Sequence, residues 1–381
     1  PRSISRRVAL MRLPPEIWAT NLGAFRVSLP ALEHFPAGIW SKLVNRHLRK
    51  QSRQLMAYGD AKGYMPFREA IAEYLGAVRA VRCEPSQILI TTGSQQGIQL
   101  SAQVLLNPNE RVWFEEPGYP GARRALLAAG AELVPVPVDR GGLNVAEGIR
   151  RARNAHAAYI TPSHQYPLGV TMDATRRMLL LNWAARSGAW IIEDDYDSEY
   201  RFGGRPIPSL QGLDNSGRVI YVGTFSKVMF PALRLGYVAV PKDLVDAFAT
   251  ARDAHDQFSS TLYQAVMADF ICEGHFARHI RRMRVLYSQR RTALVEAIQK
   301  YAGDKLEVVG AEAGMHLVAL LPPGVNDVVI SKRAAEMGIS VMPLSSCYAK
   351  PPARRGVILG YGGTDARQIH DATRKLSTIF R

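Results

Sequence analysis

A chain of 381 residues with 47% hydrophobic content can bury one large core or two, and its length favours two domains. With 48 Lys and Arg against 33 Asp and Glu the net charge is +15, which favours anionic partners: phosphorylated cofactors, anionic ligands or nucleic acid. No apolar run approaches membrane-spanning length and no signal peptide is recognisable. Three widely spaced cysteines (Cys83, Cys272, Cys347) form neither a disulfide framework nor a metal pattern, so a reducing cytoplasm is the expected compartment.

Residues 1–55 read as an arm. It opens Pro1-Arg2-Ser3-Ile4-Ser5-Arg6-Arg7 without a methionine, like a basic linker cut from something longer, and a preceding domain is expected. Pro14, Pro15, Pro30 and Pro36 break the arm, and 39–49 reads as an amphipathic helix. A turn at 58–63 leads to a helix over about 66–78, with Phe67, Ala70, Ile71, Tyr74 and Leu75 on the helical period. Strand-like runs follow at 87–92, 111–115, 132–136, 157–161, 189–194, 218–223 and 235–240. Helical stretches lie near 95–106, 119–129, 143–153 and 172–187. This alternation predicts an α/β domain over 56–250 with a mostly parallel seven-stranded sheet covered on both faces. In such sheets ligands sit at the strand C-termini. From about 242 a basic helical region carries the apolar stripe Phe276, Ile280, Met283 and Tyr287. Arg278, Arg281, Arg282, Arg284, Arg290 and Arg291 cover the rest, which fits a helix packed on one face and solvated on the other better than a DNA contact. Beyond 305, short strands (306–309, 315–320, 339–342, 356–359) and helices near 327–337 and 365–380 predict a smaller α+β domain over 251–381.

The chemistry-bearing residues gather at the expected strand ends. Gly93-Ser94-Gln95 opens a helix whose amides suit a phosphate, although alone the pattern fits an ordinary helix cap as well. The run 189–194 ends in acids: Asp194 could keep a pyridine nitrogen protonated, and Tyr196 could hydrogen-bond a ring hydroxyl. Between two strand-like runs, Lys227 is a poor structural choice and a good chemical one, because an amine with a lowered pKa forms a Schiff base. Thr224 and Ser226 before it and Arg234 after it are what a bound phosphate needs. Lysine and phosphate acceptor together suggest pyridoxal 5'-phosphate (PLP). In isolation the serine-x-lysine pattern also fits a surface turn. His164, in a proline-bounded loop, is read as a surface histidine and given no catalytic role.

Six blocks, in order along nearly the whole chain, carry a family resemblance. They are Tyr58-Gly59-Asp60…Gly63-Tyr64…Leu75; Gly93-Ser94-Gln95-Gln96; Glu116-Pro117-Gly118-Tyr119; Thr161-Pro162-Ser163-His164-Gln165-Tyr166-Pro167-Leu168-Gly169; Glu193 to Tyr200; and Thr224 to Tyr237. The chain resembles the fold-type-I PLP-dependent transferases and, among them, the aminotransferase-like effector domain of MocR/GabR-type regulators of the GntR superfamily. The resemblance implies that Tyr119 stacks on the ring, that Tyr58 reaches the phosphate of the neighbouring subunit, and that the protein is a homodimer whose arm packs on the small domain. It also implies an effector, PLP itself or an amine or amino acid, that controls DNA binding by a winged helix-turn-helix domain absent from this chain.

Two departures bear on activity. The family's usual carboxylate-binding arginine precedes Leu-Gly-[Phe/Tyr]; here Ile358 precedes Leu359-Gly360-Tyr361. Gly121 stands where some relatives carry another ligand-binding arginine. Arg123, Arg124, Arg354 or Arg355 could substitute. A sensor is therefore expected. The alternatives are an aminotransferase with an atypical carboxylate site, in which Lys227 would also shuttle protons, and a dimerisation domain without PLP.

Overall fold

Eight strands form the large sheet: β1 (Ile88–Thr91), β2 (Arg111–Glu116), β3 (Glu132–Asp139), β4 (Gly142–Leu143), β5 (Ala157–Ile160), β6 (Trp190–Asp195), β7 (Val219–Thr224) and β8 (Gly236–Ala239), in spatial order β1-β8-β7-β6-β5-β2-β3-β4. Seven of them lie where the apolar runs place them. The eighth, β4, corrects the expected count. It is a two-residue edge strand turned back antiparallel on β3, too short to show any periodicity. Four of the seven pairings are parallel, and the three antiparallel ones are β1–β8, β7–β8 and β3–β4. The computed structural model describes residues 8–9, 11, 23–49, 53–203, 207–303 and 305–379; the basic opening and the Pro14-Pro15 pair lie outside them.

The helices are α1 (Ala37–Arg49), α2 (Met65–Arg79), α3 (Ser94–Leu105), α4 (Pro120–Ala128), α5 (Val145–Ala152), α6 (Ala174–Ser187), α7 (Val245–Asp256), α8 (Thr261–Cys272), α9 (His275–Ala302), α10 (Asp327–Glu336) and α11 (Ala366–Thr378). Successive strand residues point to opposite faces, so each central strand feeds two cores. Val112, Phe114, Tyr159 and Ile192 pack with Ile98 and Leu100 of α3, Leu126 of α4 and Phe248 of α7. Their neighbours Trp113, Ala158, Ile160 and Ile191 pack with Val145 of α5 and Leu180 and Trp183 of α6. There the rings of Trp113 and Trp183 stack at 3.7 Å, and the Trp113 indole N–H donates to Ala152 O at 2.9 Å. Both faces are buried, and the strands read as continuous apolar runs for that reason.

A second, wholly antiparallel sheet follows, made of β9 (Glu307–Val309), β10 (His316–Leu320), β11 (Met342–Pro343) and β12 (Gly356–Gly360) in the order β11-β12-β10-β9. Helix α9 buries Phe276, Ile280, Met283 and Tyr287 in a core shared with α2, α11 and this sheet. Arg290 departs from the expected solvated face. It is 4% exposed, and its guanidinium donates to Gly362 O and Glu33 Oε1. Those partners come from segments far away in sequence, so helical periodicity could not reveal them.

Residues 23–36 strap the small sheet. Gly360 N–H donates to Phe25 O at 2.9 Å, Phe25 N–H to Thr364 Oγ1 at 3.0 Å and Ala31 N–H to the Tyr287 hydroxyl at 3.0 Å. Helix α1 then docks on α8 through Arg46 and His47, which both reach Asp269. Among the described residues no helix is long and apolar enough to cross a membrane.

Candidate functional site

The tip of β6 assigns its three acids by strand alternation. Glu193 points to one face and accepts the N–H groups of Leu210 and Gln211 at 2.8 and 2.9 Å. Asp195 points to the same side and pairs with Arg79 at 2.7 Å. Asp194 alone faces the other way, into a pocket. Its Oδ2 accepts from the Tyr159 hydroxyl at 2.7 Å, while Oδ1 is buried with no protein partner. Burial pushes the Asp194 carboxyl up to about 7, against the pull of the Tyr159 hydrogen bond.

The segment after β7 supplies the opposite wall. The chain leaves β7 at Thr224, turns through Pro231–Leu233 and re-enters the sheet as β8 after Arg234, which adopts a left-handed backbone (φ 53°). Because β8 runs antiparallel to β7, Arg234 sits at the N-terminus of its strand, not at a C-terminus as a wholly parallel reading requires. The reversal still brings it to the edge of the sheet that carries Lys227 and Asp194. Ser226 N–H donates to Thr224 Oγ1 at 3.2 Å, which tightens the turn before the lysine.

The pocket, of about 150 Å³, is lined by Lys227, Asp194, Tyr196, Tyr119, Gly93, Ser94, Gln95, Thr224, Ser226 and Arg234. It therefore gathers ten of the eleven residues singled out in the sequence. Gly93 (φ 129°) lies so close to the Arg234 guanidinium that a Cβ there would stand 3.6 Å from it, between the cation and the N-terminus of α3. The side chain of Gln95 is spent on Gly121 O at 2.9 Å, which leaves its backbone amide at the helix start. Tyr58 is the exception: it is 87% exposed, packs edge-on to Phe258 and lies outside the pocket. Of the four further lining residues, Thr161, Tyr166 and Pro231 lie within the blocks that carry the family resemblance but had no individual role assigned, and Ser28 belongs to no such block.

Burial lowers the Lys227 amine to about 8, with the Arg234 charge adding to the effect and Asp197 and Asp194 opposing it. Its Nζ lies 3.5 Å from Ser28 O of the strap. A buried amine of lowered pKa, an unpartnered carboxylate oxygen and a helix N-terminus beside an arginine are three demands of one cofactor: an aldehyde, a protonated ring nitrogen and a phosphate. The residues present fit that group.

The comparisons agree. Residues 33–364 match the family model "Aminotransferase class I and II". The chain is 40% identical over 380 residues to the probable rhizopine catabolism regulatory protein MocR of Rhizobium meliloti, spanning 100% of this chain and 77% of that one. It is 39% identical over 347 residues to the uncharacterized HTH-type transcriptional regulator YhdI of Bacillus subtilis, spanning 91% and 73%. The chain belongs to the MocR-type regulators. Among solved structures, the Thermus thermophilus α-aminoadipate aminotransferase LysN, complexed with N-(5'-phosphopyridoxyl)-L-leucine, superposes with a TM-score of 0.90 at 27% identity, covering 98% of this chain and 96% of that one. The Pyrococcus horikoshii kynurenine aminotransferase gives the same TM-score, identity and coverage. The fold is that of the fold-type-I PLP enzymes, and PLP is the cofactor.

Within this MocR-type site, Ile358 is fully buried on β12 in an apolar cluster with Tyr166, Val318, Leu344 and Cys347. Three of the arginines that could replace a carboxylate fork are engaged elsewhere. Arg123 donates to Tyr348 O and Ser346 O, Arg354 pairs with Glu307 and Arg355 with Asp327. His164 is not at the surface, as the loop composition suggested. It is buried beside the pocket, bonded to Asp197 and Tyr196. Its partners lie 32 and 33 residues away on the next strand end, beyond any local signal. Among the described residues, His164, Asp197 and His316 place metal-ligating atoms within 4.8 Å of one another, but the Nδ1 of His164 is already taken by hydrogen bonds.

A Lys227 amine that joins PLP would set a pH dependence of uptake. Nζ must be neutral to bond a carbonyl carbon, and with a pKa of about 8 roughly one molecule in ten carries the neutral amine at pH 7. The rate constant for PLP uptake, followed by stopped-flow absorbance, should rise about tenfold from pH 6 to pH 7 and level off above about pH 8. A rate still climbing steeply at pH 10 would mean an unshifted lysine.

Proposed function

We propose that this chain is the PLP-binding, effector-sensing and dimerisation domain of a cytoplasmic MocR-type transcriptional regulator, with an arm over 1–55, a large domain over 56–250 and a small domain over 251–381. When bound, PLP supplies an electrophilic carbonyl carbon and an electron-withdrawing ring. Lys227 offers the amine that joins it, and Asp194 offers the oxygen that holds a ring proton. Tyr119 would stack on the ring and Tyr196 would face its hydroxyl. Gly93, Ser94, Gln95, Thr224, Ser226 and Arg234 would hold the phosphate, and the partner subunit's Tyr58 would complete the site in a homodimer. The relation between the lobes, altered by an effector at the pocket, would govern DNA binding by a winged helix-turn-helix domain outside this chain.

One observation carries the sensor reading. Lys227 and Asp194 share a pocket suited to PLP, while Ile358, at the position of the family's carboxylate fork, sits in an apolar cluster. That arrangement supports PLP itself or an amine as effector over an α-amino acid held by a bidentate arginine. The test is an absorbance titration with PLP, then with a panel of amines and amino acids, each with and without a keto acid. One spectral change per site without accumulating product supports the sensor. Sustained turnover selects the second reading, a PLP-dependent aminotransferase, which the solved aminotransferases overlapping nearly the whole chain favour.

A further inference from the structure

Beside the cofactor pocket lies a three-group contact that the sensor reading does not use. His164 and Asp197 have side chains 1% exposed, and His164 Nδ1 stands 3.0 and 3.1 Å from the two Asp197 oxygens. The same Nδ1 lies 2.9 Å from the Tyr196 hydroxyl, while Nε2 is buried with no protein partner. The ring is also fixed in place: a Cβ on Gly314 would collide with it, and the His316 ring packs against it at 5.1 Å.

One nitrogen facing two oxygens constrains the protons. A carboxylate only accepts, so Nδ1 must carry the hydrogen, and a nitrogen that donates to Asp197 cannot also accept from Tyr196. The tyrosine oxygen is therefore itself an acceptor there, and its own hydrogen is released from His164. No other protein partner of that hydroxyl exists among the described residues, and Tyr196 lines the pocket. Without the carboxylate a neutral imidazole is free to take the other tautomer and accept the phenolic hydrogen, withdrawing it from the pocket.

We propose that Asp197 and His164 are positioning residues that hold the Tyr196 hydroxyl as a hydrogen-bond donor aimed into the pocket, at an oxygen of the bound cofactor. This rests on the PLP reading above. Asp197 is also the largest charge supporting the Lys227 ammonium, and Asp194 acts on the same amine, so a substitution at 197 would confound two effects. His164 is the cleaner probe.

Two measurements test it. In the wild-type PLP-loaded protein, ¹⁵N NMR of the imidazole should show Nδ1 protonated and Nε2 bare; the opposite tautomer overturns the proposal without any variant. The pH at which the visible absorption of the bound cofactor changes is then compared in wild type, Tyr196→Phe, His164→Asn and the double variant, with His164→Gln as a second substitution if His164→Asn does not fold. Losing one hydrogen bond to one protonation state moves such a transition by about one pH unit. Each single variant should show a shift of that size in the same direction, and the double no more than Tyr196→Phe alone. A His164 variant that leaves the transition in place, or adds its shift to that of Tyr196→Phe, overturns the positioning role even if the protein is less stable. If Tyr196→Phe itself shifts nothing, the proposal also falls, because the hydroxyl does not meet the cofactor. Only loss of cofactor absorption in the wild type would count against the PLP reading itself.

Discussion

Lys227→Ala should yield a protein that no longer holds PLP through dialysis and lacks the visible absorption of the covalently held cofactor. Nζ is the one amine among the pocket's lining residues, and burial has brought it to about 8, where a useful fraction is neutral. The residues proposed to hold the phosphate, Gly93 and Arg234 among them, survive the substitution, so weak binding should persist. Retention should fall on the order of a hundredfold, about 2.7 kcal/mol. Lys227→Arg, which keeps a cation but offers no nucleophile, should behave like the alanine variant in its spectrum. Equilibrium dialysis followed by absorbance decides the matter: an unchanged band in Lys227→Ala would place the covalent link elsewhere or deny it.

Arg79→Leu should be the most damaging single change to the fold around the site. The guanidinium donates to Asp195 Oδ2 at 2.7 Å, Ile207 O at 2.7 Å and Ser163 Oγ at 2.6 Å, and it is almost wholly buried. Removing it leaves the Asp195 carboxylate in the interior with the Tyr221 hydroxyl, at 2.7 Å, as its remaining side-chain donor. Breaking a buried pair from one side costs about 3–5 kcal/mol, because the remaining charge is uncompensated. Urea unfolding should show that loss. Adding Asp195→Asn to Arg79→Leu should restore part of it, since the stranded charge is then gone. A loss below about 1 kcal/mol would mean that the interior is wetter there than the hydrogen bonds imply.

How much of this was legible depended on whether the signal was local. The seven apolar runs and the residues at their ends were readable, because a buried parallel strand is a continuous apolar run and its ligand-facing end is marked by small, acidic or hydroxyl residues. The division of labour between Asp194 and Asp195 follows from strand alternation once the strand is placed, so the period of two carries chemistry as well as packing. The direction of β8 was not readable, because periodicity has no sense of direction, and neither was the two-residue β4. Arg290 reads as part of a solvated helix face because its acidic partner lies 257 residues away, and Arg79, whose partner lies 116 residues away, belongs to no pattern the sequence marks. His164 is hidden for the same reason, its partners lying 32 and 33 residues away. Tyr58 was picked out by resemblance alone, and within a single subunit it reaches nothing in the pocket.

The strap over residues 23–36 gives the lysine a second meaning. Its Ser28 carbonyl sits at the amine, while neighbouring peptide groups are stitched to the end of β12 and to α9. In the proposed sensor, drawing Nζ away from Ser28 O would release one contact between the lysine and the strap, and freeing the amine would let it re-form. Occupancy and strap position would then be corners of one thermodynamic square, and a ligand could shift the strap only by the difference in its affinity for the two arrangements.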